Sequence, residues 1–156
     1  EMRFTSSRSR VVTLVVKIVL LHYLTTASGS IGQDDMISWE DIPPLKHYGP
    51  AFERRILSPL TSAFGGDRDI FSLAGEALGG RQEDYGDASF TLTALPLVPI
   101  TFILWEHDDE FPASVRVLYR SSVTALLPLE DIVVLTKLAA TRIIHRARLL
   151  AGVGDV

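Results

Sequence analysis

The chain has 156 residues, of which 47% are hydrophobic and 22% charged, a balance typical of a folded domain and not of a disordered segment. Its net charge of -4 gives no general attraction to nucleic acid or to an anionic membrane, so neither is expected as a partner. The absence of cysteine excludes disulfides, thiolate zinc sites and a cysteine-ligated iron–sulfur cluster within this chain, and it favours a cytoplasmic setting.

The N-terminal part resembles a secretion signal, because three arginines precede an apolar run and small residues follow it. Lys17 and His22 interrupt that run, which is also too short to span a bilayer comfortably. We therefore expect a buried core helix over 11–26, although its β-branched first half is compatible with a strand. The alternative is a signal segment over 1–29 and an exported protein. Residues 1–10 are expected to be disordered or a divergent lead-in.

Short elements are predicted in the next part of the chain. Loose alternation indicates a short extended segment at 36–42, ended by Pro43-Pro44. Two short helices are expected to meet at Ser58-Pro59, where serine caps and proline takes the first helical position. Asp67 is a good N-cap for a further helix with one apolar face, and Gly79-Gly80 ends it.

The second half predicts strands and one long helix. Alternating or continuous apolar residues indicate strands at 89–94, 100–105 and 115–119, and the short turns between them imply an antiparallel meander. After Pro128, apolar residues at helical spacing predict a helix that packs on the sheet. The fold class is therefore α+β, one domain over 1–156, with a small antiparallel meander sheet of three to four strands packed by four to five helices.

An acidic turn, residues 105–112, separates the second and third predicted strands. Its alternating carboxylates are suited to a hard cation such as Mg²⁺ or Ca²⁺, for which Glu106, Asp108 and Glu110 are the metal candidates. Two close carboxylates are also suited to general acid–base work. The structural alternative is a hairpin tip whose acids face water and discourage edge-to-edge association.

Two candidates come from outside the turn. His22, on the predicted first helix, is either a base or ligand or a hydrogen-bonded boundary histidine, and Tyr48 is suited to the wall of a small-molecule pocket. No pair of histidines has zinc-ligand spacing, and neither a glycine-rich phosphate motif nor a nucleophile elbow is present. The ligand-binding candidates are Trp105, Glu106, Asp108, Asp109, Glu110, His22 and Tyr48.

Several short motifs occur in a consistent order between about residues 18 and 138. The densest are Leu104-Trp105-Glu106, Asp108 with Glu110-Phe111-Pro112, and Leu127-Pro128 with Glu130-Asp131. With these pieces the chain resembles DUF3786, a family of uncharacterised bacterial and archaeal proteins. The first ten or so residues match nothing in that family, and where its members tend to carry an aromatic residue followed by aspartate this chain has Tyr119-Arg120.

The resemblance implies a domain and a metabolic setting. Some relatives are fused to an iron–sulfur domain, which suggests a link to anaerobic redox or one-carbon metabolism, while this chain has no cysteine with which to hold a cluster. We therefore expect a non-catalytic accessory or small-ligand-binding protein in anaerobic metabolism, whose partner is a small molecule or another protein. The alternative is a metal-assisted enzyme that uses the acidic turn at 106–110.

Overall fold

The structure is a computed structural model that describes residues 13–27 and 34–152. Its helices are α1 (Leu14–Thr26), α2 (Gly49–Phe52), α3 (Ser58–Phe64), α4 (Arg68–Ala77), α5 (Val123–Leu126) and α6 (Leu129–Leu150). Its strands are β1 (Met36–Ser38), β2 (Arg81–Glu83), β3 (Ala88–Leu95), β4 (Val98–Trp105) and β5 (Ser114–Arg120). The predicted lead-in at 1–10, and most of the cleavage region of the predicted signal, lie outside the described residues.

The described strands form one antiparallel sheet in the order β1-β5-β4-β3-β2. The α+β class and the meander of three sequential strands are confirmed. The predicted count of three to four strands is wrong, because the described residues contain five. The additional strand is β2, whose three polar residues, Arg81–Glu83, pair with the edge of β3 and have no apolar alternation that would indicate a strand.

The helices cover one face of the sheet. Phe90, Phe102, Val117 and Tyr119 point into the core on that side and are at most 1% exposed. α4 packs against β3 and α6, and α3 packs against β5 and α6. The core therefore lies between the sheet and its helices, as expected for a sheet with one apolar face. The opposite face of the sheet carries hydroxyl and charged side chains together with a few apolar ones, such as Ile103 and Leu118.

The two helices predicted to meet at Ser58-Pro59 are joined without a break. A π-helical turn, Glu53–Leu57, connects α2 to α3, and the Ser58 N–H donates to the Glu53 carbonyl. This wider turn changes the backbone register just before Pro59, which has no N–H to contribute, so the helix continues where an ordinary helix would be interrupted. With 49–64 taken as one helix, the described residues contain five helices, within the predicted range.

The first helix departs from the expectation of a buried core helix. Only Val19 and Tyr23 of α1 are buried, whereas Leu14, Leu21 and Leu24 are 72%, 60% and 75% exposed. The helix lies at the edge of the fold with one face packed, because apolar residues occupy every side of it and only one side meets the core. Within the described residues, no helix is both long and apolar enough to cross a membrane.

Candidate functional site

The acidic turn lies between β4 and β5, as the sequence predicts, and Asp108 organises its tip. One carboxylate oxygen of Asp108 accepts hydrogen bonds from the backbone N–H groups of Glu110 and Phe111, at 2.9 and 2.6 Å. The Asp108 N–H donates to the Phe111 carbonyl at 3.0 Å. The hydrogen bond from the Phe111 N–H, and then the one from the Glu110 N–H, lower the pKa of Asp108. The carboxylate therefore has a structural role as the acceptor of a tight turn.

The base of the turn is attached to the start of α4. A carboxylate oxygen of Glu106 accepts from the N–H of Arg68, the first residue of that helix, at 2.9 Å. The Glu106 N–H donates in turn to Asp87 at 2.8 Å. His107 donates its backbone N–H to the Gly65 carbonyl at 3.1 Å, and its Nδ1 lies 2.9 Å from the same oxygen. Glu106 thus accepts a hydrogen bond from one of the free N–H groups at the N-terminus of α4, where negative charge is favoured.

The other predicted candidates are dispersed. Asp109 and Glu110 are exposed, and the ring of Trp105 is 36% exposed with the Arg116 guanidinium stacked 5.9 Å from its centroid. Tyr48 is exposed at the end of the 3₁₀ segment Pro43–Tyr48, and no hydrogen bond of the described residues joins it to the turn. Within 13–27 and 34–152, no group of three or more acidic or histidine side chains is arranged to hold a metal ion.

His22 contacts a different acid. Its Nδ1 lies 2.6 Å from a carboxylate oxygen of Asp131, which is in the first turn of α6. The Asp131 side chain is 10% exposed and that of His22 is 44% exposed. The pair therefore joins α1 to α6, and it leaves the other imidazole nitrogen of His22 at a partly exposed boundary. This geometry favours the interpretation of His22 as a hydrogen-bonded boundary histidine over its interpretation as a base or ligand.

The polar face of the sheet contains a second group of functional side chains. A cavity of about 380 Å³ lies there, and every one of the five strands contributes to its lining. We call it the sheet-face pocket. Its charged and hydroxyl-bearing residues from the strands are Arg81, Glu83, Thr91, Thr93, Thr101 and Arg120.

A hydrogen-bond network organises one side of the sheet-face pocket. The Arg81 guanidinium donates from Nε and Nη2 to one carboxylate oxygen of Glu83, at 3.0 and 2.7 Å. The Thr91 hydroxyl donates to the same oxygen at 2.8 Å, and it lies 2.7 Å from the Thr101 hydroxyl. The hydrogen bond from Arg81, and then that from Thr91, lower the pKa of Glu83, so this carboxyl is ionised at neutral pH. Since Thr91 gives its only hydroxyl proton to Glu83, Thr101 must donate to Thr91.

Arg120 lies on the other side of the sheet-face pocket. The carboxylates of Asp34 and Glu83 interact with it electrostatically, at longer range than an ion pair. Its Nη1 donates to the backbone carbonyl of Asp34 at 3.0 Å. Among the described residues, no carboxylate lies within 4.0 Å of its guanidinium. The residues that line the pocket carry two positive charges, on Arg81 and Arg120, and one negative charge, on Glu83; the Asp34 carboxylate is not part of the lining. Such a site is suited to an oxyanion, since a guanidinium offers paired donors to carboxylate or phosphate.

The sequence did not indicate this pocket. Thr91 was predicted on a half-buried strand and Thr101 within a nearly continuous apolar strand covered on both faces, and Arg81 and Glu83 were not assigned to a strand. The available signal was Arg120, the position at which this chain departs from the DUF3786 pattern. The structure places that departure in the sheet-face pocket, beside the Arg81–Glu83 pair.

Comparisons with known proteins identify the chain at the level of the family. Searches of curated proteins and of solved structures found no match. The model of one protein family, described as a domain of unknown function (DUF3786), matches residues 1–142. The match begins at residue 1, so the expectation that the first ten or so residues match nothing in this family is wrong. That match includes all five strands and the first part of α6. The chain therefore belongs to the DUF3786 family.

Proposed function

We propose that this domain is a non-catalytic ligand-binding domain that holds a small oxyanion, a carboxylate or a phosphate, in the sheet-face pocket. The observation that carries the proposal is Arg120, which lines the cavity and has no carboxylate within 4.0 Å of its guanidinium among the described residues. A partly desolvated cation with unused donors gains more from an anionic ligand than a fully exposed one does. The accessory role in anaerobic metabolism is part of the same proposal and rests on family membership.

The rest of the network supports a binding role by holding the pocket in shape. Arg81, Glu83, Thr91 and Thr101 come from three neighbouring strands and are linked in one chain of hydrogen bonds. Side chains that are already ordered lose little conformational entropy when a ligand arrives. The proton of Thr101 is used within the network, so its oxygen remains an acceptor.

The alternative, a metal-assisted enzyme at the acidic turn, has no comparable support. The carboxylates of Glu106 and Asp108 already accept backbone hydrogen bonds, and Asp109 and Glu110 point outward at the hairpin tip. A cation would have to compete with those backbone donors for the first two carboxylates. The sheet-face pocket is therefore the site that we test.

The test measures anion binding to the whole chain by titration calorimetry and by ligand-induced change in melting temperature, with butyrate and inorganic phosphate as probes. We expect saturable binding of at least one probe. Arg120→Gln removes a charge-assisted hydrogen bond of about 1.5–3 kcal/mol, so it should weaken binding about ten- to hundredfold. Arg120→Lys should be intermediate, because it keeps the charge and loses the paired donors.

Arg54→Gln is the matched control, since Arg54 is exposed and lies outside the sheet-face pocket. It changes the net charge as Arg120→Gln does and should bind the probes like the parent chain. The proposal is refuted if neither probe binds at millimolar concentration, or if both glutamine variants lose affinity equally. Circular dichroism of each unliganded variant checks that the fold is retained.

A further inference from the structure

A second cavity lies on the helix side of the sheet. It is a groove of about 400 Å³ between α1, α6 and the end of β3, and we call it the helix groove. Its walls are apolar, with Val19 and Leu20 from α1, Leu92 from β3, and Leu135 and Leu138 from α6. Arg142 is its one charged residue among those described. A groove of this size and composition is suited to a hydrocarbon chain.

The helix groove and the sheet-face pocket meet at the edge of the sheet. Gly79 and Thr93 line both cavities. The opening exists because β2 begins at Arg81, which pairs with Thr91, so β2 offers no partner to the edge of β3 beyond Thr91. Gly79 lies beside this gap with φ +80°, and a Cβ atom built on it would meet nothing within 4 Å. The two cavities therefore adjoin each other around the unpaired edge of β3.

We infer that the ligand of this domain is an amphipathic anion of the fatty-carboxylate class. Its oxyanion lies at Arg120 in the sheet-face pocket, and its unbranched chain passes Gly79 and Thr93 into the helix groove. The inference rests on the proposed function, because the head group uses the proposed oxyanion site. The inference adds the class of ligand, because a cationic cavity and an apolar cavity share two lining residues.

Charge sets the orientation of the ligand. The lining of the sheet-face pocket includes the Glu83 carboxylate, but Arg81 and Thr91 already donate to it. The remaining donors of the Arg120 guanidinium and the Thr93 hydroxyl can replace the water lost by a carboxylate. The helix groove offers hydrocarbon along most of its length and a single cation, Arg142. The head group therefore belongs at Arg120 and the chain in the groove. The opposite orientation, with the carboxylate at Arg142, is a distinct outcome of the experiment.

The experiment is calorimetry on the whole chain with butyrate, hexanoate, octanoate and decanoate, each below its micellar concentration. Every methylene that enters the helix groove should tighten binding about threefold. Leu20→Trp narrows the groove and should remove the gain with chain length while leaving butyrate unaffected. Leu24→Trp is the matched control: it makes the same change on the same helix, at a side chain that is 75% exposed and outside the groove lining, and it should keep the gain.

Two glutamine variants test the orientation. Arg120→Gln should weaken butyrate and decanoate by the same factor, whereas Arg142→Gln should leave butyrate unchanged. Decanoate that loses affinity in Arg142→Gln and keeps it in Arg120→Gln would overturn the inference. Equal affinity from butyrate to decanoate would also overturn the inference and would leave the proposed function intact. If none of the four carboxylates and no phosphate binds, both the inference and the proposed function are refuted. Retention of the chain-length gain in Leu20→Trp would show that the chain binds elsewhere.

Discussion

At the scale of single residues, hydrogen-bond donors decide what each acid of this chain does. Glu106 and Asp108 belong to the most acidic segment, yet backbone N–H groups occupy both carboxylates and give them roles in a turn and at a helix start. Glu83 is held by a guanidinium and a hydroxyl group instead. The side chains that donate to Glu83 also line the sheet-face pocket, so the ionisation of Glu83 affects both the candidate site and the stability of the fold.

The lowered pKa of Glu83 predicts a specific dependence of stability on pH. A carboxyl whose pKa is lower in the folded than in the unfolded chain contributes stability above its unfolded pKa, about 4.3, and this contribution is lost as pH falls through the folded pKa. Glu83→Gln should therefore be less stable than the parent at pH 7, with a difference that shrinks below about pH 4. Urea unfolding between pH 3 and 7 measures this. Glu76→Gln, at an exposed glutamate of α4, is the control, and an equal pH dependence in both variants would contradict the prediction.

At the scale of elements, the contact of α4 with β3 is close enough to require a glycine. A Cβ atom on Gly75, in the last turn of α4, would lie 2.4 Å from Cδ1 of Phe90. Phe90 is fully buried, and its ring packs against Phe71 at 4.7 Å and Phe102 at 5.9 Å between centroids. The ring therefore has little room to move. Glycine here allows the helix to approach the sheet, and the lower helix propensity of glycine is the cost.

Gly75→Ala should consequently destabilise the protein although alanine is the better helix former. The intrinsic gain is about 1 kcal/mol, whereas overpacking a closed core costs typically about 1–3 kcal/mol. We expect a net loss of up to about 2 kcal/mol, or a melting temperature lower by up to about 8 °C for a chain of this length. Glu76→Ala, the neighbouring exposed position, should be close to neutral. A higher melting temperature for Gly75→Ala would show that the helix can withdraw from Phe90.

At the scale of the whole molecule, α1 is the least firmly attached of the long helices. It buries two side chains, whereas α6 buries seven. Two polar contacts, His22 with Asp131 at 2.6 Å and the Leu97 N–H to the Tyr23 hydroxyl at 3.3 Å, connect α1 to the rest of the fold. An element with few buried contacts opens more readily than the molecule unfolds. The wall of the helix groove formed by α1 is therefore also the wall best able to move.

Amide hydrogen exchange should reveal this difference. The amides of α1 are expected to exchange at least about a hundredfold faster than those of β4, the central strand, because α1 opens locally. Asp131→Ala removes the partner of His22 and should accelerate exchange in α1 further. Glu130→Ala, at the adjacent exposed residue, should leave it unchanged. Equal protection of α1 and β4 would mean that α1 unfolds only with the core.

Local patterns predicted much of the fold and little of the candidate site. The helix capped by Asp67 and the long helix after Pro128 lie where apolar spacing and end residues placed them, and the Asp67 side chain accepts from the Ile70 N–H at 3.0 Å. The three strands of the meander were also predicted within a few residues. β2 was missed because it is polar and short, and its pairing with β3 decides that it is a strand.

The spacing of apolar residues along the chain was enough to predict the α+β class and the position of the acidic turn. A half-buried strand or helix repeats its apolar residues at a fixed interval, and that interval can be read from the local sequence. Contacts between distant residues decided everything about the sites. Arg68 meets Glu106 across 38 positions, and Arg120 meets Asp34 across 86. Contacts between residues so far apart in the chain depend on strand register and helix packing, which the local spacing of residues does not specify. In the acidic turn, backbone N–H groups of the turn itself and of α4 thus occupy Asp108 and Glu106. Threonines and two arginines from different strands line the pocket that we propose binds the ligand.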